Sequence, residues 1–356
     1  MKHVKENRAV RGRGASANPE NRFTDKSIKY DPDSATGSYP SKNTTFITDY
    51  SESIISSNKS PDIPFEFSLN PYRGCEHGCV YCYARPTHEF LGYSAGLDFE
   101  TKIIVKRDAP RLLKKTLAKK FWKPQTLVMS GVTDPYQPVE KELEITRGCI
   151  RVLAECLHPL GIITKNHLVT RDIDLLIKLA KVNAVHVTIS ITTLRNDLAG
   201  VMEPRTSRPE RRLDAIRRLS EAGISVGVNI APVIPGLTDD EMVKIMEKSK
   251  EAGAVCAGYQ LLRLPYGVKD LFLEWLENHL PNRKSKVVNK ILDLREGKLN
   301  KSEFGERFRG TGEYAAQIRR LFQIHYDRLG FAKRKKPCNR TSFKRPETGQ
   351  LSLFNE

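Results

Sequence analysis

Residues 70–86 read NPYRGCEHGCVYCYARP. Cys75, Cys79 and Cys82 stand in a C-x3-C-x2-C array, and Gly74 and Gly78 loosen the backbone around it. Three thiolates this close can converge on one soft metal centre. Two centres meet the pattern. A structural zinc needs a fourth ligand, for which His77 or His88 is available, and its tetrahedral site is then closed. An iron–sulfur cube held by three cysteines keeps one iron open for a small ligand. Zinc knuckles favour paired C-x2-C units, which makes the cube the stronger of the two readings.

Outward from the array, the chain of 356 residues is long enough to bury a full core, as one large domain with appendages or as two ordinary domains. Seven cysteines is an odd number, and those outside the array are scattered. That is not the spacing of a secreted disulfide scaffold, so a reducing, cytoplasmic location is expected. The basic N-terminus has no apolar core and no apolar run reaches bilayer length, so no membrane partner is expected. The net charge of +17 is concentrated at the periphery: residues 1–26 carry +4, residues 283–320 carry +6 and residues 331–356 carry +5. Basic flanks around a nearly neutral centre suit a polyanionic partner such as nucleic acid, although solvated tails give the same composition.

Residues 1–45 are rich in Gly, Ser, Asn, Pro and charge, and are expected to be disordered or draped over the surface. From about residue 60 to residue 265, apolar β-branched runs alternate with segments of helical spacing. The expected strands are 126–130, 167–170, 185–191, 225–231 and 257–262. Expected helices cover 173–181 and 209–222, and another follows a capping box of Thr238 and Glu241. Such βα repetition predicts an α/β fold with a parallel sheet, doubly wound or closed wholly or partly into a barrel, with ligands at the carboxyl ends of the strands. Residues 266–330 read as a helical extension, and residues 331–356 as a basic tail.

The array C-x3-C-x-aromatic-C, with Tyr81 before the third cysteine, resembles the signature of the radical S-adenosylmethionine (SAM) superfamily. The resemblance implies a partial (β/α)6 barrel and a [4Fe–4S] cluster on Cys75, Cys79 and Cys82. It further implies SAM on the fourth iron, an external electron donor, and cleavage of SAM to a 5′-deoxyadenosyl radical. The doubled tyrosine of YCYA, Tyr81 and Tyr83, and the stretch MEPRTSRPERRLDAIRRLSEAGISVGVNIAPVIPG at residues 202–236 resemble the spore photoproduct lyase branch. Carried over by position, Tyr81 packs beside the adenine, Arg171 faces the cofactor carboxylate, Ser190 bonds the ribose and Thr133 sits near the amino group. Glu203 and Arg205 contact cofactor or substrate, or form an internal salt bridge. The branch carries a hydrogen-donating cysteine beyond the second strand, whereas this chain reads SGVTDP at 130–135 and has no cysteine from 83 to 148. Either Tyr81 or Tyr83 performs that transfer, or the reaction differs. Tyr136 and His88 are candidates to line the opening. Cys149, Cys156 and Cys256 read as buried, and Cys338 gives no support for a second cluster.

The chain ends GQLSLFNE. Gln350, Leu351, Ser352, Leu353 and Phe354 follow a basic stretch and resemble the pentapeptide by which bacterial replication and repair proteins bind the sliding clamp, a short anchor that fills an apolar pocket. Together with the basic flanks and the core's resemblance to a DNA repair lyase, this implies a radical enzyme acting on a base or base adduct in DNA, a repair function. The alternatives are radical modification of RNA or protein, and a non-catalytic zinc module that binds nucleic acid.

Overall fold

The computed structural model describes residues 9–23, 43–332 and 337–347. The β-branched runs become strands and the 3.6-periodic segments become helices that cover them. In chain order the strands are β1 (Thr45–Thr48), β2 (Ile55–Ser57), β3 (Phe67–Leu69), β4 (Tyr72–Arg73), β5 (Lys102–Val105), β6 (Leu127–Met129), β7 (Leu160–Thr164), β8 (Val185–Ser190), β9 (Val226–Val233) and β10 (Cys256–Leu261). The main sheet has the order β10-β9-β8-β7-β6-β3-β2. Its six strands from β3 to β10 are parallel and run in chain order, and only β2 is antiparallel. A small sheet of order β1-β5-β4 stands beside it.

Helices Ile173–Ala180, Pro209–Glu221 and Met242–Glu251 connect successive parallel strands. Leu176, Leu179, Ile216, Leu219 and Ile245 from these helices share one buried core with Ile162, Val187, Ile189, Val228 and Ile230 of the sheet. Burying each such side chain contributes about 1.5–3 kcal/mol, so the sheet is held by this layer rather than by local propensity. Helices Val268–His279, Pro281–Leu294 and Gly312–Arg328 follow as the extension. Among the described residues no helix is long and apolar enough to cross a membrane.

Several expectations are corrected. The run 167–170 is not a strand: His167–Asp172 is a 3-10 helix, started by the Asn166 side chain accepting from Leu168 N. The third βα strand is β7, whose short run LGIIT contains a glycine; a Cβ on Gly161 would press to 3.3 Å from Val128. The capping box does not form either. Thr238 Oγ1 accepts from Ile234 N at 2.9 Å, and Glu241 instead takes up Leu194 N and Arg195.

Part of each basic flank is also built into the body. At the N-terminal end, Ala15 is buried and the amides of Gly14 and Ala15 donate to the Glu100 carboxylate at 3.1 and 2.9 Å. At the other end, Asn339 N and Lys344 N donate to the carbonyls of Asn183 and Cys156, and Cys338 is buried. Gln350, Leu351, Ser352, Leu353 and Phe354 lie outside the described residues.

Candidate active site

The cysteine array follows β3 and β4 as a loop at the carboxyl end of the first parallel strand. Its turns need positive φ at Gly74 (+77°) and Gly78 (+66°), and a Cβ on Gly78 would meet the Glu100 carboxylate at 2.7 Å. Buried backbone bonds hold the loop: Cys75 N donates to Phe99 O at 2.8 Å and Val80 N to Met202 O at 3.1 Å. Arg85, fully buried, donates to Cys79 O and pairs with Glu100 at 2.5 Å. On the other side Glu76 accepts Val139 N at 2.7 Å. The loop is therefore clamped from two directions before any ligand is bound.

All three cysteines are free thiols. Burial is the main cause that pushes each thiol above its ordinary range; Asp134 adds to it at Cys75 and Glu203 at Cys79, while Arg85 opposes it at Cys82. Thiols in this state are converted to thiolates by metal binding. A closed zinc site is not supported. Among the described residues no three His, Cys, Asp or Glu side chains approach closely enough to hold one ion. His77 is engaged by Asp134 at 3.5 Å and Asn166 at 3.2 Å, and His88 is buried beside the rings of Tyr93 and Phe99. In a cube each thiolate binds a different iron, so three cysteines spaced along one loop fit it without meeting at a point.

Facing this loop, the carboxyl ends of β7, β8 and β9 converge on a buried polar hub. Lys165, one residue beyond β7, donates from Nζ to Thr192 Oγ1 and Ala231 O at 2.9 Å and pairs with Glu203 at 3.1 Å. Burial, reinforced by Arg212, lowers its ammonium to about 7. Glu203 also accepts from Thr192 Oγ1 at 2.7 Å, from Tyr81 Oη and from the fully buried Arg212. Arg212 in turn donates to Ser190 O at 3.1 Å and Ser207 O at 2.7 Å. The Tyr81 ring lies 5.5 Å from Lys165 Nζ. Asp134 completes the hub, accepting Lys165 N at 2.8 Å and Thr164 Oγ1 at 2.7 Å. Burial raises the Asp134 carboxyl, but His77 and these donors outweigh it and hold it below the ordinary value.

The expected site residues separate accordingly. Cys75, Cys79, Cys82, Tyr81 and Glu203 come together, and buried Ser190 borders them. Thr133 is a loop tie, donating to Gly74 O at 2.7 Å. Arg171 is corrected: it lies in the 3-10 helix, and its guanidinium is engaged by Asp172 at 2.8 Å and Glu140 at 2.7 Å. Glu203 and Arg205 do not pair with each other, because Arg205 bonds Glu76 at 3.2 Å on the outer side of the loop. Tyr136 and His88 do not line an opening; both are fully buried, and Tyr136 donates to Asp172. Tyr83 is half exposed, and its hydroxyl donates to Gly131 O at 2.8 Å. The residues that went unread are Lys165, Thr192, Arg212 and Asp134. A signal for Lys165 exists, since it follows GIIT directly.

The family model of the Radical SAM superfamily matches residues 69–248. An uncharacterized protein of Mycobacterium tuberculosis is 35% identical over 229 residues, covering 63% of this chain and 67% of that one. Another from Methanocaldococcus jannaschii is 33% identical over 178 residues, covering 50% of this chain and 64% of that one. Among solved structures, a spore photoproduct lyase complexed with dinucleoside spore photoproduct superposes with a TM-score of 0.54, over 80% of each chain and at 16% identity, a likeness of fold.

Proposed function

The chain belongs to the radical SAM superfamily, and from that membership we propose that it is a radical enzyme acting on a base or base adduct in DNA. Superfamily membership implies a [4Fe–4S] cluster and SAM. In this reading Cys75, Cys79 and Cys82 hold three irons, and the six parallel strands form a partial (β/α)6 barrel around the site. When bound and reduced, the cluster supplies the electron that cleaves SAM.

The observation that carries the reading is the meeting of three free cysteines, Cys75 and Cys79 buried and Cys82 partly so, with a charged hub at the strand ends. Lys165 takes the part of the basic residue at the end of the third strand that Arg171 was expected to play. Its ammonium suits a carboxylate, with Thr192 and Glu203 fixing its direction. Glu203 holds the Tyr81 ring in place through its hydroxyl. Of the two tyrosines, Tyr83 is the one a substrate reaches, since Tyr81 is buried. The DNA substrate is supported by the fold shared with an enzyme solved with a dinucleoside spore photoproduct, and by the basic flanks.

The test is release of 5′-deoxyadenosine by anaerobically reconstituted protein with SAM and dithionite, with and without an ultraviolet-damaged oligonucleotide. Release that the oligonucleotide stimulates and that Cys79→Ala abolishes is the expected result. Release that ignores DNA moves the substrate to RNA or protein, and no release overturns the radical reading.

A further inference from the structure

The main sheet is open between β10 and β2. The chain after helix Pro281–Leu294 ties the two sides together. Leu261 N donates to Phe308 O at 3.0 Å on the β10 side. On the other side, Arg307 Nε pairs with Asp62 at 2.7 Å and Gly305 N donates to the same carboxylate at 2.8 Å.

Aromatic rings and guanidinium groups alternate from this crossing to the cysteine loop. Arg307 lies 4.8 Å from the Phe304 ring centroid and 4.9 Å from that of Phe308. Arg263, two residues beyond β10, lies 4.8 Å from Phe308 on one side and 5.7 Å from Tyr83 on the other. Tyr83 adjoins Cys82, so the column Phe304–Arg307–Phe308–Arg263–Tyr83 begins at the mouth of the candidate site.

Alternating stacks of this kind also serve as internal cement. Two features point beyond that role. The column ends on open rings, with Phe304 61% and Tyr83 48% exposed, which leaves ring surface at both ends on which a base can stack. Within it, Arg263 Nε is buried without a hydrogen-bond partner, and Arg307 adds like charge beside it. An unsatisfied buried donor next to a second cation is costly unless an anion is bound. Arg307 is already neutralised by Asp62, so the surplus charge lies at Arg263.

We propose that this column is a docking track for a single DNA strand, with a phosphate at Arg263 and bases stacked on Phe304 and Tyr83. The track leads the strand across the open side of the sheet to Tyr83 and the cysteine loop. It rests on the nucleic-acid reading above and gives that reading a place on the molecule.

The test uses the full-length reconstituted protein and a fluorescent single-stranded DNA of about twelve nucleotides, read by anisotropy across a salt series. Phe304→Ala is expected to weaken binding about tenfold, since stacking is lost at an exposed position. Arg263→Gln is expected to weaken it and to flatten the dependence of log affinity on log salt by about 0.7, the share of one phosphate. Cluster absorbance and thermal midpoint serve as folding controls, and Phe304→Ala, exposed in the folded chain, keeps the test sound if Arg263→Gln unfolds. Wild-type binding that neither substitution changes overturns the track and leaves the nucleic-acid reading standing. Tighter binding of an RNA of the same sequence overturns the assignment to DNA. Absence of binding to either strand overturns the track and the nucleic-acid reading together.

Discussion

The two ends of the parallel sheet are built from opposite chemistry. At the carboxyl ends, Lys165, Glu203, Arg212 and Asp134 bring charge into a buried hub beside the cysteines. At the amino ends, the buried imidazole of His158 is neutral. His158 accepts from Trp122 Nε1 through Nε2 at 3.2 Å and approaches Pro159 O through Nδ1 at 3.0 Å. An indole can only donate, so the proton of the neutral ring sits on Nδ1. Phe343 meets that ring edge-on at 5.3 Å, and the backbone of 339–344 bonds the adjoining turns. The difference shows where the fold puts its cost. Buried charge gathers at the end that carries the cysteine loop, and the far end closes with neutral hydrogen bonds and the C-terminal segment.

The strongest way to break this comparison is to remove one charge from the hub. Glu203→Ala strands Arg212 and Lys165, and the expected loss is about 3–5 kcal/mol of unfolding free energy in urea. His158→Gln at the opposite end leaves Trp122 an amide acceptor and should cost clearly less. An inverted order would mean that the hub is not where stability is sensitive.

A smaller effect sharpens the comparison through pH. Burial depresses His158 to about 4, against a weaker opposing bond to Pro159 O, and it lowers His88 to the same range. The unfolded chain therefore binds protons below about 6.5 that the folded chain refuses. The stability each neutral ring confers is full above that value and is lost progressively as pH falls toward 4. Between pH 7.5 and 5.5 the expected loss is about 1 kcal/mol per ring. His158→Gln should reduce this slope, and an unchanged slope would show that the ring accepts a proton in the folded state.

Legibility of these features in the sequence follows from how local each one is. The cysteine loop was readable because its three donors lie within eight positions. The helices after β7, β8 and β9 were readable from their periodicity. β7 was hidden because LGIIT is short and contains a glycine, while HLVT nearby looks more strand-like; the 3-10 turn started by Asn166 decided against it. That shift of one element put Arg171, rather than Lys165, at the end of the expected third strand. The hub itself joins Tyr81, Lys165, Glu203 and Arg212, which no sequence spacing connects. The docked parts of the two basic flanks bind largely through backbone amides, which composition does not display.

The central proposal is that Cys75, Cys79 and Cys82 would hold a [4Fe–4S] cluster and that Lys165, rather than Arg171, would meet the carboxylate of its SAM. The most direct test is electron paramagnetic resonance of the reduced, reconstituted protein, with iron counted beforehand, before and after SAM is added. The account predicts about four irons per chain and a signal that SAM alters in the wild type and in Arg171→Met but not in Lys165→Met. A colourless protein that binds zinc, or a signal that responds to SAM in Lys165→Met and not in Arg171→Met, would contradict it.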